Sequence, residues 1–148
     1  MQSLDEILKL VIKWENDLDK YYSKLDKSLK DKRSKITVEA LKERLDNNLK
    51  ILNKIKISDY KKTEFIKNLP DYKSEGFIAK MKIGKDSTPR EVFDQILKFE
   101  EKLKEFYTHI RDVVVYTKSK DLFDMMVQFK MGQIKEIKGL MDNYDLAI

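Results

Sequence analysis

Apolar residues recur at alternating steps of three and four positions along four separate stretches of this chain. That spacing is the period of a helix with one apolar face, and we call each series of positions a seam. The apolar seam residues are, stretch by stretch, Leu4, Leu8, Val11, Leu18, Tyr22, Leu25 and Leu29; Val38, Leu41, Leu45, Leu52 and Ile55; Phe93, Ile96, Leu103, Tyr107, Ile110 and Val114; and Leu122, Met126, Ile137, Leu140 and Tyr144. The pattern predicts four amphipathic helices.

Capping residues and short polar turns indicate where these helices begin and end. Thr88, Pro89 and Glu91 form a capping box with proline in the first turn, and Ser3 with Glu6 has the same capping-box spacing. We expect one domain, residues 1–148, with helices over about 3–30, 35–56, 88–116 and 119–144. Because short turns join the first helix to the second and the third to the fourth, each pair is predicted to be an antiparallel hairpin.

A long segment, about residues 57–87, separates the two hairpins. It is too long and too rich in apolar residues for a flexible linker, so we expect it to pack, partly helical, across the bundle. Two antiparallel hairpins joined by a long crossover are the topology of ferritin-like bundles. The predicted fold class is therefore all-α, a ferritin-like four-helix bundle.

The two hairpins also repeat one another at a constant offset of 85 residues, which places Glu15 on Glu100 and Tyr22 on Tyr107. Other matched pairs are Trp14 with Phe99, Leu18 with Leu103, Tyr21 with Phe106, Leu25 with Ile110, Leu41 with Met126, Leu49 with Ile134, Leu52 with Ile137 and Ile55 with Leu140. One offset that holds across the crossover indicates an internal duplication of a hairpin.

Five polar residues interrupt the seams near the middle of their helices: Glu15, Asn48, Glu100, Lys130 and Gln133. Antiparallel hairpins bring these positions to a similar level of the bundle. Since charged groups in a core are costly unless they are paired or bound to a metal, their clustering requires an explanation.

Our hypothesis is that the ammonium of Lys130 bridges the carboxylates of Glu15 and Glu100. Asn48 and Gln133, with the hydroxyl groups of Tyr22 and Tyr107, would satisfy the remaining donors and acceptors of this buried polar network. Two carboxylates against one ammonium leave an excess negative charge, which a proton on one Glu or contact with water would relieve. The alternative is that Lys130 extends along its stem to the surface and leaves a loose cluster.

The residues around both glutamates resemble two helices of rubrerythrin-like proteins. In the stretches 14–22 and 99–107 an inward Glu is followed seven residues later by Tyr. The resemblance implies a di-iron bundle in which these two helices each supply one Glu ligand. The other two helices would then supply a Glu-x-x-His motif each. The corresponding positions are Leu45 and Asn48 on the second helix, and Lys130 and Gln133 on the fourth.

Against that ligand set, only the two glutamates remain, so the site is a vestigial, degenerate di-iron site. Leu45 and Lys130 replace both bridging carboxylates, and the amides Asn48 and Gln133 replace both imidazoles. Amides are poor ligands for iron, and an ammonium repels a metal cation. The single histidine, His109, lies beside its seam as a partly exposed helix residue, and the absence of cysteine removes the iron-binding Cys-x-x-Cys module of rubrerythrins. We expect no catalytic residue, no metal and no cofactor.

Charge and hydropathy argue against nucleic acid and membrane as partners. The net charge is +5, from 31 basic and 26 acidic residues. Acidic residues interrupt the most basic stretch, Lys50 to Lys85, and no recognition motif accompanies it, so nucleic-acid binding is not expected. Residues 1–14 contain no continuous hydrophobic stretch. We expect neither a signal peptide nor a membrane span, and a cytoplasmic protein.

These observations favour a non-catalytic ferritin-like protein that acts as a binding or interaction module, as a monomer or homodimer, with an unknown protein partner. One alternative is a metal-binding ferritin-like oxidoreductase that holds iron or another divalent metal through Glu15, Glu100 and altered ligands. Another is a weak binder of acidic partners through the basic crossover, Lys54 to Lys85. Metal analysis separates the first two, and affinity that falls steeply with salt would identify the third.

Overall fold

Four long helices make up most of a computed structural model that describes residues 2–60, 65–66 and 88–146. They are α1 (Leu4–Ser28), α2 (Lys32–Leu52), α3 (Pro89–Val113) and α4 (Thr117–Leu146). The predicted all-α class and its four helices are confirmed. The seams did not predict a two-residue antiparallel pair of strands, β1 (Gln2–Ser3) and β2 (Phe65–Ile66). Within the described helices, none combines the length and the apolar character that a bilayer span requires.

Side-chain caps account for where α2 and α3 begin. Thr88 Oγ1 accepts a 3.2 Å hydrogen bond from the backbone N–H of Glu91, and proline takes the first helical position, as predicted. α2 begins at Lys32 rather than near residue 35, because Asp31 is its cap. Asp31 Oδ2 accepts hydrogen bonds from the backbone N–H and the hydroxyl of Ser34, at 3.0 and 2.8 Å.

Local hydrogen bonds explain how the start of α1 and the end of α2 differ from the prediction. Ser3 precedes α1, but its hydroxyl donates to the carboxylate of Asp5, so the capping box predicted with Glu6 does not form. α2 ends at Leu52 rather than near residue 56, where the backbone N–H groups of residues 54 and 55 bond three residues back and tighten the last turn. The remaining ends lie within two or three residues of those predicted.

The seams form the hydrophobic core. Each described apolar seam residue is buried, except Leu29 and Ile55, which follow the ends of α1 and α2 and are partly buried. The side chain of Tyr144 lies outside the described part. Beside the seams, the rings of Trp14 and Phe106 meet edge to face, with 5.1 Å between their centroids. Large aromatic side chains therefore join α1 to α3 within the core.

Contacts between helices of different hairpins establish the helix directions. Glu15 of α1 contacts Tyr107 of α3, and Tyr22 of α1 contacts Glu100 of α3. A later residue of α1 therefore meets an earlier residue of α3, so these two helices are antiparallel.

The helices α2 and α4 are antiparallel too, because Leu41 contacts Gln133 and Asn48 contacts Met126. Turns of three residues make α1 with α2, and α3 with α4, antiparallel neighbours. It follows that α2 and α3 run in the same direction, and that the end of α2 and the start of α3 lie at opposite ends of the bundle.

The predicted crossover, 57–87, falls mostly outside the described residues, and so does its partly helical packing. Its described part contains a 3₁₀ turn, Ile57–Asp59, followed by Tyr60. Tyr60 is buried, and Nζ of Lys118 lies 5.0 Å from the centroid of its ring. The chain that leaves α2 thus packs beside the first turn of α4.

A buried carboxylate–ammonium network as the candidate functional site

Three charged side chains meet in the centre of the bundle. Nζ of Lys130 on α4 lies 2.8 Å from Oε2 of Glu15 on α1 and 3.0 Å from Oε2 of Glu100 on α3. All three residues are fully buried, with 0% of their surface exposed. Lys130 therefore bridges the two carboxylates inside the core, and its stem does not lead to the surface.

Two tyrosines hold the other oxygen of each carboxylate. The hydroxyl of Tyr22 donates to Oε1 of Glu100, and the hydroxyl of Tyr107 donates to Oε1 of Glu15, each at 2.7 Å. Seven residues, or two helical turns, separate each Glu from the Tyr on its own helix, so both point into the core. Each carboxylate is thereby held by the tyrosine of the other hairpin.

The structure does not bring the two amides into this hydrogen-bonded set, contrary to the hypothesis. Nε2 of Gln133 donates to the backbone oxygen of Leu41 at 2.9 Å, and Nδ2 of Asn48 lies 3.8 Å from the sulfur of Met126. Both amides belong to the α2–α4 pair and turn toward each other's helix, whereas the carboxylates belong to α1 and α3. Oε1 of Gln133 is buried and accepts no hydrogen bond from the described residues.

The contacts between the helices repeat at the 85-residue offset, so the two hairpins are related by an approximate two-fold symmetry. The offset exchanges the bond from Tyr22 to Glu100 with the bond from Tyr107 to Glu15. It also exchanges the two contacts between α2 and α4 described above. Lys130 breaks this symmetry, because its counterpart is Leu45, a fully buried apolar residue. The network therefore contains two related carboxylates and one ammonium.

Burial and charge together set the protonation of these groups. Burial alone disfavours the ammonium, yet the negative charges of Glu100 and Glu15 outweigh it and raise the pKa of Lys130 above its ordinary value. Burial raises the pKa of Glu15. The positive charge of Lys130 acts against this increase, and the negative charge of Glu100 adds to it. Burial and then the nearby Glu100 charge raise the pKa of Tyr22 well above its ordinary value. Lys130 is thus charged and Tyr22 neutral at pH 7.

The donor set does not fit a di-iron centre. The ammonium of Lys130 lies between the two carboxylates that would have to share a metal, and it repels metal cations. Gln133 directs its amide nitrogen to the α2 backbone, and His109 is a partly exposed residue of α3. Across residues 2–60, 65–66 and 88–146, no three His, Asp or Glu side chains are grouped to hold a metal ion.

A second cation between carboxylates was missed from the sequence. Nζ of Lys42 on α2 lies 2.8 Å from Oδ2 of Asp46 and 3.4 Å from Oδ1 of Asp19 on α1. Burial, then the hydrogen bond and charge of Asp46, raise the pKa of Asp19 to about 6. The four-residue spacing of Lys42 and Asp46 is a visible signal in the sequence. The part that Asp19 plays is not visible in the sequence, because Asp19 belongs to a different helix and lies outside its seam.

The structure therefore defines an all-α four-helix bundle with an ion-pair network at its centre. Comparison of the chain with models of known protein families, with curated proteins and with solved structures found no match in any of the three.

Proposed function

We propose that this chain is a non-catalytic ferritin-like protein, related to rubrerythrins, that has lost its di-iron site and acts as a binding or interaction module. Three features support the relationship: the 85-residue repeat, the shared direction of α2 and α3, and the paired Glu and Tyr residues. The direction of α2 and α3 matters because a bundle that simply alternates up and down would have them antiparallel.

One observation carries the loss of the metal site. The ammonium of Lys130 lies within 3.0 Å of both Glu15 and Glu100 and places a positive charge between the two buried carboxylates. A metal ion bound to both carboxylates would have to displace this ammonium and then remain beside it. The chain thereby replaces a metal with its own side chain.

The same burial supports a non-catalytic role. The three charged residues have no exposed surface and are bonded to one another and to the tyrosines, so a substrate would reach them only by breaking those contacts. Binding would then use the exterior. Apolar side chains are exposed at one end of the bundle, where Val115 is 79%, Tyr116 56% and Ile51 52% exposed. Such residues contribute to contacts between proteins.

Metal analysis tests the proposal directly. Purified protein is dialysed against Fe²⁺, Mn²⁺ or Zn²⁺ in separate samples, and bound metal is measured by elemental analysis. We expect less than one metal per chain in the core. The matched control is the double variant Glu15→Gln and Glu100→Gln.

Two outcomes are then distinguishable. One metal per chain in the wild type that is lost from the double variant would overturn the proposal in favour of the metal-binding oxidoreductase. Metal retained by the double variant is bound outside the core and leaves the proposal in place. Light scattering on the same samples separates a monomer from a homodimer.

A further inference from the structure

The buried network encloses one negative charge more than its ammonium balances. Glu15, Glu100 and Lys130 all have 0% exposure, and Lys130 is the cation that the described residues place against both carboxylates. A buried ion without a counter-charge is costly, so proteins neutralise such a group instead. Contact with water or a bound proton would relieve this excess charge.

The side chains that face the network from each helix do not supply the missing charge. Tyr22 of α1 and Tyr107 of α3 direct neutral hydroxyl groups at the carboxylates. The polar seam residues of α2 and α4 other than Lys130 are Asn48 and Gln133, whose amides are uncharged and directed at each other's helix. Since no second cation of the described residues pairs with either carboxylate, a proton is the monovalent cation that balances the charge without a separate cavity.

Both carboxylates direct one oxygen at the same ammonium. Tyr22 and Tyr107 donate to the Oε1 atoms of Glu100 and Glu15. The Oε2 atoms of Glu15 and Glu100 lie 2.8 Å and 3.0 Å from Nζ of Lys130. These two oxygens converge on a single cation, so the excess negative charge of the network lies between them.

We propose that the Glu15–Glu100 pair is a proton-binding site that holds one proton at neutral pH. The proton belongs to the pair, because both carboxyl groups contact the same ammonium. The raised pKa of Glu15, caused first by burial, supports this assignment. The site is a property of the buried geometry and does not depend on the proposed relationship to rubrerythrins.

Proton binding links the stability of the bundle to pH with a definite sign. In the unfolded chain both carboxyl groups are ionised at pH 7, whereas the folded chain holds one proton, so unfolding releases it. The unfolding equilibrium constant then increases about tenfold per pH unit from this site alone. The contribution is complete below the ordinary pKa of Glu and is lost as the pH rises through the higher pKa of the folded pair. Alkaline pH therefore loosens the centre of the bundle.

Carbon-13 NMR of protein labelled at the Glu side-chain carboxyl carbons tests the site without any substitution. One buried carboxyl group of the wild type should keep the chemical shift of the protonated acid at pH 7 and ionise at higher pH. In Glu100→Gln and in Glu15→Gln that titration should be absent, because the remaining carboxylate is balanced by Lys130. The matched control is Glu101→Gln, which removes a partly exposed Glu from the neighbouring position and should leave the titration unchanged.

Urea unfolding supplies an independent measurement. Between about pH 6 and pH 7 the unfolding constant of the wild type should increase about tenfold per pH unit more than that of Glu100→Gln. Wild-type Glu carboxyl groups that are all ionised at pH 7, or equal pH dependence in the two proteins, would overturn the proposal. If either core variant fails to fold, the wild-type titration alone decides.

Discussion

The hydroxyl group of Tyr107 lies 2.7 Å from Oε1 of Glu15, a residue 92 positions earlier in the chain. Tyr22 repeats this relationship with Glu100 in the opposite direction along the chain. Because each hairpin supplies the tyrosine for the carboxylate of the other, neither carboxylate obtains this donor from its own hairpin. The two hydrogen bonds from tyrosine to glutamate therefore form only when the two hairpins dock.

Tyr22→Phe and Tyr107→Phe should each lower the free energy of unfolding by about 2 kcal/mol, and by similar amounts. Each substitution removes a hydrogen bond to a buried carboxylate and leaves the oxygen without that donor. Urea unfolding at pH 7 measures both values. Tyr21→Phe is the matched control, because the Tyr21 hydroxyl is buried without a hydrogen-bond partner among the described residues. A cost at Tyr21 equal to that at Tyr22 would show that the hydrogen bonds are not responsible.

Lys130→Met should lower the free energy of unfolding by about 3–5 kcal/mol at pH 7, because two carboxylates would remain buried without a cation. The side chain it introduces is of similar length, so the loss reports charge rather than volume. Leu45→Met is the control at the symmetry-related position, and its expected cost is below about 1.5 kcal/mol. Thermal and urea unfolding give both values. Equal costs at the two positions would argue against a paired ammonium.

Replacing the whole network by apolar residues should recover the stability that Lys130→Met alone loses. The variant combines Glu15→Leu, Glu100→Leu, Lys130→Met, Tyr22→Phe and Tyr107→Phe, and no buried polar group of the set remains to be satisfied. Buried ion pairs replaced in this way are often neutral or stabilising, so we expect a bundle at least as stable as the wild type. Circular dichroism during heating measures it. A large loss of stability would instead assign the network a stabilising role of its own.

The stability of Asp19→Asn relative to the wild type should rise as the pH increases from 3.8 to about 6. The pKa of Asp19 is raised to about 6 by burial and by Asp46, so its contribution is present below the unfolded value, 3.8, and is lost as the pH rises through about 6. Asparagine has no such titration. The midpoints of urea unfolding at a series of pH values give the difference. A difference that stays constant with pH would contradict the assignment to Asp19.

Restoring the implied ligands should create a metal site. The variant Leu45→Glu, Asn48→His, Lys130→Glu and Gln133→His supplies both Glu-x-x-His motifs opposite the two existing glutamates. We expect it to bind iron or zinc, measured by elemental analysis and by the increase in melting temperature with added metal. Lys130→Glu alone is the control and should only destabilise, since three carboxylates would share the core without a cation. Failure of the quadruple variant to take up metal would contradict the alignment with rubrerythrins.

The sequence was most informative where apolar residues recur with the period of a helix. The seams predicted the core, including the buried levels of Glu15 and Lys130, because helical periodicity determines which residues share a face. It was least informative about where a side chain turns. Gln133 bonds to the backbone of Leu41 rather than to the charged groups, because its partner is selected by the packing of α4 on α2. The helix start at Lys32 likewise depends on the rotamer of Asp31.

Lys130 and Leu45 occupy matched positions of the two hairpins, but one is charged and the other is apolar. This difference limits how such a core can be assembled. Two identical hairpins that associate as a symmetric dimer must have the same residue at both positions. They would bring either two lysines or two leucines to the pair of glutamates, and neither choice leaves one ammonium between them. A single lysine requires the two hairpins to differ, as the two halves of one covalent chain are free to do. The uneven charge at the centre is thus closed to a symmetric pair of identical hairpins.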